Sequence, residues 1–148
     1  MLGRAYEREN CSAARALEVI GERWSLLILR NAMYAGSRRF NQFQRSLGIA
    51  TNILQARLEW FIESGLMELR AAADGVQEYV LTAKGQDLEP VILALSAWGD
   101  RYAAPEGPPI RYQHAQCGGA IRQHLECETC HEAPKPGAIM ATPGPGMS

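Results

Sequence analysis

Four side chains near the C-terminus have the types and spacing of metal ligands. His114-Ala-Gln-Cys117 and Cys127-Glu-Thr-Cys130 are two pairs with the same two-residue spacer, separated by nine residues. Together they supply three thiolates and an imidazole, the donor set of a closed tetrahedral zinc site. Gly118-Gly119 permits the tight turn that such a knuckle needs. Three cysteines within fourteen residues are hard to explain as core packing in a reducing compartment. The identity of the fourth ligand is open: His124 or His131 can replace His114, and His131 stands where many such knuckles place glycine. Without metal, Cys127 and Cys130 form a CxxC pair suited to redox exchange, although no βαβ pattern of the thioredoxin kind surrounds them. Four protein ligands leave no position for a reactive water, so the expected zinc is structural. No second carboxylate pair and no hydroxyl–imidazole set points to catalysis, and the chain is not expected to be an enzyme.

A second set of side chains suits nucleic acid. Between Glu22 and Glu59 there is no acidic residue, whereas Arg23, Arg30, Arg38, Arg39, Arg45 and Arg57 all fall inside. Such a block is an electrostatic footprint for phosphates; the alternative is a solvated basic face paired with acids from elsewhere in the fold. The block coincides with residues 37–66, where two short helical patterns meet at Leu47-Gly48-Ile49-Ala50. In the second pattern Leu54, Leu58 and Phe61 share one face, while Asn52, Ala56 and Glu59 fall opposite and Gln55 lies at the edge. A helix held by its back and presenting amide side chains near its N-terminus suits the major groove, so residues 51–64 are expected to be the recognition helix of a helix-turn-helix. Asn and Gln pair bidentately with adenine, which marks Asn52 and Gln55 for base reading. Arg38, Arg39 and Arg57 are the expected phosphate contacts, Arg57 being equally open to an intramolecular ion pair.

Elements that can position these groups follow from periodicity. Asn10 is a candidate N-cap for a helix running to Ile20, with Cys11 in its first turn. Gly21 breaks that run and Trp24 opens a second helix, whose consecutive Leu26, Leu27, Ile28 and Leu29 make it the central buried one. Residues 39–47 form the first helix of the motif, with Phe40, Phe43 and Leu47 facing the core, and Ser64-Gly65 stops the recognition helix. Trp60 is expected to pack on a neighbouring helix. Strand patterns at 66–71 and 77–81 flank Asp74-Gly75, which predicts a hairpin wing. Its tip, 72–76, is not basic, so Arg70 at its base is the expected wing contact to the DNA backbone. Thr82 caps a long helix over 83–102, kinked at Pro90. Its stripe of Leu88, Val91, Leu95, Trp98 and Tyr102, widened by Ile92, is expected to pair with a second copy, joined by residues 4–20.

At 148 residues, with 47% hydrophobic and 21% charged residues, the composition is that of an ordinary soluble chain. A net charge of −1 argues neither for nor against nucleic acid. No apolar run is long enough to span a bilayer, and the charged N-terminus lacks the apolar region of a secretory signal, so a cytoplasmic protein without a membrane partner is expected. The fold class expected is mostly α with a small β-hairpin wing, a winged helix-turn-helix, followed by a zinc-ribbon-like appendage. The corresponding domains are 1–104 for DNA binding and dimerisation, 105–133 for the appendage, and 134–148 for a Pro/Gly-rich tail.

Several ordered motifs resemble the HxlR family of bacterial winged helix-turn-helix transcription regulators, related in architecture to the MarR group. They are Cys11, Ala14-Arg15-Ala16-Leu17-Glu18-Val19-Ile20-Gly21, Arg23-Trp24-Ser25-Leu26-Leu27-Ile28-Leu29-Arg30, Arg38-Arg39-Phe40, Gly48-Ile49, Leu54 with Arg57-Leu58, Gly65-Leu66, Glu78-Tyr79 with Leu81-Thr82 and Gly85, and Ala97-Trp98-Gly99. The resemblance covers roughly residues 10–103 and implies a homodimer that binds inverted-repeat operator DNA as a repressor or activator, with repression preferred. The family often starts its recognition helix with Ser, Pro and a basic residue, where this chain has Ala50, Thr51 and Asn52. A lysine's phosphate contact is thereby lost and a contact by Asn52 gained. Thr51, Asn52, Gln55, Arg38, Arg39, Arg57 and Arg70 are thus the expected DNA-binding set. In several HxlR-type proteins a cysteine near position 11 is a redox switch, which makes Cys11 a candidate sensor; the competing reading is a small buried hydrophobe. Two functional alternatives stay open: a thiol- or metal-responsive redox protein using Cys127 and Cys130, and a winged-helix protein-interaction module that no longer binds DNA.

Overall fold

The computed structural model describes residues 5–147. The chain forms two compact units, Met1–Ile92 and Leu93–Ser148. In the first, helix α1 (Ser12–Ile20) starts one residue later than the sequence suggests. Cys11 has extended backbone and its Sγ accepts the Ala14 N–H at 3.3 Å, so Cys11 rather than Asn10 is the N-cap. Of the residues expected to join α1 in a dimer surface, Arg4 lies outside the described residues.

Helix α2 (Ser25–Tyr34) is the central one, with Ile28 and Leu29 wholly buried. Helix α3 (Phe40–Leu47) begins where Gln42 Oε1 accepts the backbone N–H groups of Arg38 and Arg39 at 2.9 and 3.1 Å, satisfying two amides ahead of the helix. It ends at Gly48, whose φ of +63° is left-handed and whose N–H returns to Gln44 O. Ile49 then plugs the core and Ala50 starts α4 (Thr51–Glu63). Leu54, Leu58 and Phe61 have no exposed surface, as their spacing requires. Each Leu→Ala change there costs about 2–5 kcal/mol on the usual cavity scale. Trp60 donates its indole N–H to Val19 O at 2.9 Å, which fastens α4 to α1.

The wing is an antiparallel pair, β1 (Met67–Ala71) and β2 (Gln77–Leu81), in register from Met67↔Leu81 to Ala71↔Gln77. Asp74-Gly75 makes the turn: Gly75 takes φ +81° and Asp74 Oδ1 accepts the Val76 N–H. The hairpin is pinned at mid-strand, where Tyr79 N–H donates to Arg38 O at 2.7 Å.

The single kinked helix expected over 83–102 is instead two helices, α5 (Ala83–Gln86) and α6 (Glu89–Tyr102). Pro90 lies in the first turn of α6, where a missing N–H has no intrahelical partner to lose, so it starts a helix rather than bending one. Thr82 caps α5 by accepting the Gly85 N–H and ties it to the turn after α4 by donating to Gly65 O. Gly85 is required by proximity: a Cβ there would sit 2.1 Å from Leu66 O. Ile20, Ile28, Leu29, Phe43, Ile49, Leu54, Leu58, Phe61, Leu66, Met67 and Ile92 form one core. Leu88 packs against that core and so leaves the dimer stripe to which the sequence assigned it.

In the second unit, residues 103–147 contain no helix or named strand. The expected zinc ribbon is reduced to one β-bridge, Gln113↔Ala120, with Ile121 N–H donating to Tyr112 O, and two loops described below. No helix among the described residues is long and apolar enough to cross a membrane.

Candidate nucleic-acid interface and the cysteine knuckles

Because α4 gives its apolar face to the core, Thr51, Asn52, Gln55, Ala56 and Glu59 remain exposed. Thr51 is held by Gln44, whose Nε2 donates to Thr51 Oγ1 at 2.5 Å, so the first turn of α4 is oriented by α3. Gln55 Nε2 donates to Glu59 Oε1 at 2.7 Å, one turn along the same face. That bond uses one amide hydrogen and leaves the other, with Oε1, for a bidentate partner. Asn52 stands one turn before Ala56 on this face, which makes it the less obstructed amide.

The arginines divide, and only the tertiary structure divides them. Arg57 is 9% exposed, with Nε 4.0 Å from Glu22 Oε2. It points inward and is withdrawn from the expected phosphate contacts. Its position explains this, because 54, 57, 58 and 61 follow the i, i+3, i+4, i+7 rule of one buried face. Glu22 also accepts the Trp24 N–H at 2.9 Å, so one carboxylate joins the start of α2 to α4.

Arg39 is likewise engaged: its guanidinium reaches Asp74 at 2.9 Å and Glu78 at 3.4 Å. Hydrogen bonds that Arg39 donates to these two carboxylates, Asp74 first, hold its guanidinium above its ordinary pKa. Asp74 is held below its own, first by the Val76 N–H and then by Arg39. Arg39 is therefore a strap from α3 to the wing rather than a free phosphate contact. Arg70 is exposed but ion-paired with Glu68 on its own strand, so the wing's cation is partly neutralised. Arg38 and Arg45 are exposed and form no ion pair among the described residues.

Asn31 and Gln42 escaped sequence reading. Asn31, buried on α2, donates to Ser46 Oγ at 3.0 Å, and Ser46 in turn donates to Phe43 O. A buried amide inside an apolar helix is the signal that could have found it, since it must be hydrogen-bonded. A shallow cavity of about 340 Å³ opens beside Met33, Arg38, Arg70, Tyr79 and Gln86.

At the C-terminal loops, His114 Nδ1 faces Cys117 Sγ at 3.2 Å, and Gly119 N–H points at the same sulfur at 3.4 Å. Backbone N–H groups of Cys130 and Thr129, then the Cys130 side chain, hold the Cys127 thiol below its ordinary pKa. All four cysteines are free and exposed. Exposure of Cys11 removes the reading of it as a buried hydrophobe. Among the described residues no three of His, Cys, Asp or Glu are gathered as a metal site, so His114, Cys117, Cys127 and Cys130 stand as two pairs. His131 Nδ1 is engaged with Glu126 Oε1 at 2.8 Å.

The HxlR-like helix-turn-helix family model matches residues 19–107. The HTH-type transcriptional regulator Rv3095 of Mycobacterium tuberculosis is 43% identical over 142 residues, covering 94% of this chain and 89% of that protein. The crystal structure of PA1607, a candidate transcription factor, superposes with a TM-score of 0.83 at 36% identity, covering 93% of this chain and 97% of the other. The redox regulator HypR in its reduced form gives a TM-score of 0.54 at 30% identity, over 62% of this chain and 92% of HypR. With helix-turn-helix, wing and family match in agreement, the chain belongs to the HxlR family of transcriptional regulators.

Proposed function

We propose that the protein acts as a homodimer that reads an inverted-repeat operator with two copies of α4 and represses the adjacent genes. The observation carrying this reading is the division of α4 into a wholly buried Leu54–Leu58–Phe61 face and an exposed face bearing Asn52 and Gln55. Those two amides read adenine edges, Thr51 and Arg38 fix the helix on the phosphates, and Arg70 adds a weak backbone contact from the wing. Support for a pair of chains comes from α6. Val91, Leu95, Trp98 and Tyr102 recur on one side of it, and the last three are 53%, 62% and 62% exposed. A large aromatic-ended stripe left in water is the mark of an association surface. A two-fold axis then places the reading helices about 34 Å apart, one turn of duplex. Repression follows where such a dimer covers a promoter.

The test is binding to genomic fragments selected by the protein, followed by anisotropy titration over a range of salt. An inverted repeat among the selected fragments and a linear log–log salt slope are expected; binding without either refutes the reading. A thiol-responsive mode is favoured by one observation, the exposed N-cap Cys11, and by the likeness to HypR. Operator affinity is then expected to change on thiol oxidation in the wild type and to stay constant in C11S; equal responses refute it.

A further inference from the structure

The two loops that carry the C-terminal cysteines are the same loop built twice. In the first, Gly118 N–H donates to His114 O at 2.8 Å and His114 N–H to Gly119 O at 2.8 Å. In the second, His131 N–H donates to Cys127 O at 2.9 Å and Cys127 N–H to Glu132 O at 2.9 Å. His114 therefore corresponds to Cys127, Cys117 to Cys130, and Gly118 to His131. The correspondence extends to the backbone: Gly118 has φ +71° and His131 +60°, the one left-handed non-glycine among the described residues. In the first loop Gly119 N–H also points at Cys117 Sγ at 3.4 Å.

Nothing apolar holds these loops in place. Between 105 and 133 every residue is exposed except the half-buried Tyr112. A stretch this short cannot order itself by burial and ordinarily relies on a cross-link or a metal. Meanwhile His114 Nδ1 and Cys117 Sγ stand 3.2 Å apart. Zinc bonds of about 2.05 Å to nitrogen and about 2.3 Å to sulfur at a tetrahedral angle put these atoms roughly 3.6 Å apart, a small adjustment away.

We propose that His114, Cys117, Cys127 and Cys130 close together on a single zinc ion, joining the two loops into one closed structural knuckle pair. Binding deprotonates the three thiols, releases their protons to solvent, and leaves a neutral imidazole as the fourth ligand. His131 is excluded as that ligand because it holds the backbone place of Gly118 in the second loop and its ring is paired with Glu126. His124 lies outside both loops.

The experiment is metal analysis of the full-length chain, purified reduced and without a metal-affinity step, followed by competition with a zinc-sensitive chelator. One zinc per chain is expected. C117S and C127S should each weaken zinc by more than about 100-fold, above the 10–100-fold typical of losing an outer hydrogen bond. H114A should weaken it similarly, while C11S, H124A and H131G keep it. Cobalt replacing zinc should show the ligand-field bands of a tetrahedral thiolate site. Thermal unfolding of the variants, read at Trp24 and Trp60, checks that the winged unit is intact. Zinc-free protein with three titratable C-terminal thiols overturns the proposal. So does a Cys127–Cys130 disulfide that forms regardless of zinc, or loss of zinc in H131G.

Discussion

Arg57 and Arg38 both fall in the acid-free block, yet their surroundings give opposite predictions. Arg57 is 9% exposed and faces Glu22, whereas Arg38 is exposed without an ion pair among the described residues. Arg57→Ala deletes a buried stem and leaves Glu22 with only the Trp24 N–H and the longer Ser25 Oγ contact. The pair is partly buried, so the loss is expected at about 1–3 kcal/mol of folding stability, from packing and from a half-compensated carboxylate. Arg38→Ala is expected to leave stability within about 0.5 kcal/mol, since it removes only a surface side chain. On DNA the order reverses. Each neutralised phosphate contributes about −0.9 to the log–log salt slope, so R38A should flatten it by about that amount per chain. Over a fourfold rise in salt that is roughly a 3.5-fold smaller loss of affinity for each contact removed. R57A should leave the slope unchanged under conditions where it is folded. Urea unfolding and anisotropy at several salt concentrations measure both quantities on the same samples. A flattened slope in R57A with wild-type stability, or an unchanged slope in R38A, refutes the division of the arginines.

Asn52→Ala and Gln55→Ala are each expected to relax operator discrimination by about 1–3 kcal/mol at one base pair, measured against single-site operator variants; uniform weakening across all variants would mark a phosphate contact instead. Gly85→Ala should destabilise the first unit by about 1–3 kcal/mol, because a methyl group 2.1 Å from Leu66 O forces the backbone to move; wild-type melting would contradict this. Asp74 has its folded pKa depressed below 3.8, so its stabilisation of the wing is complete above that value and lost as pH falls through the lower folded one. Amide exchange at Val76 should accelerate in that acid window in the wild type and be insensitive to it in Asp74→Asn. Trp98→Arg is expected to shift the chain toward monomer in sedimentation and to weaken operator binding, and an unchanged dimer would remove α6 from the interface.

Periodicity alone determined the parts that are local. The spacing of Leu54, Leu58 and Phe61 selected the buried side of α4, and Gly48 marked the left-handed turn that ends α3. Asp74-Gly75 placed the hairpin turn between the strands that pair. These are properties of a few neighbouring residues, and the chain near them suffices to specify them. Arg57 was legible too, since it shares the i, i+3, i+4, i+7 face, and of its two open readings the intramolecular ion pair is the one it makes, with Glu22. The boundary at Pro90 was misplaced because proline at a helix start and proline within a helix look alike until a break precedes it.

Tertiary structure decided the rest, and the reason is sequence separation. Arg39 meets Asp74 and Glu78 only when α3 and the wing are brought together, and Glu22 meets Arg57 only across the core. Ion-pair partners that far apart leave no local pattern, so an acid-free run measures formal charge and not available charge. The metal-ligand spacing was visible in the sequence. That the two loops repeat one backbone, with His131 taking the left-handed φ of Gly118, became visible only when φ and the hydrogen bonds were known. Residue types determine which groups can read DNA or bind a metal; the fold determines which of them are left free to do so.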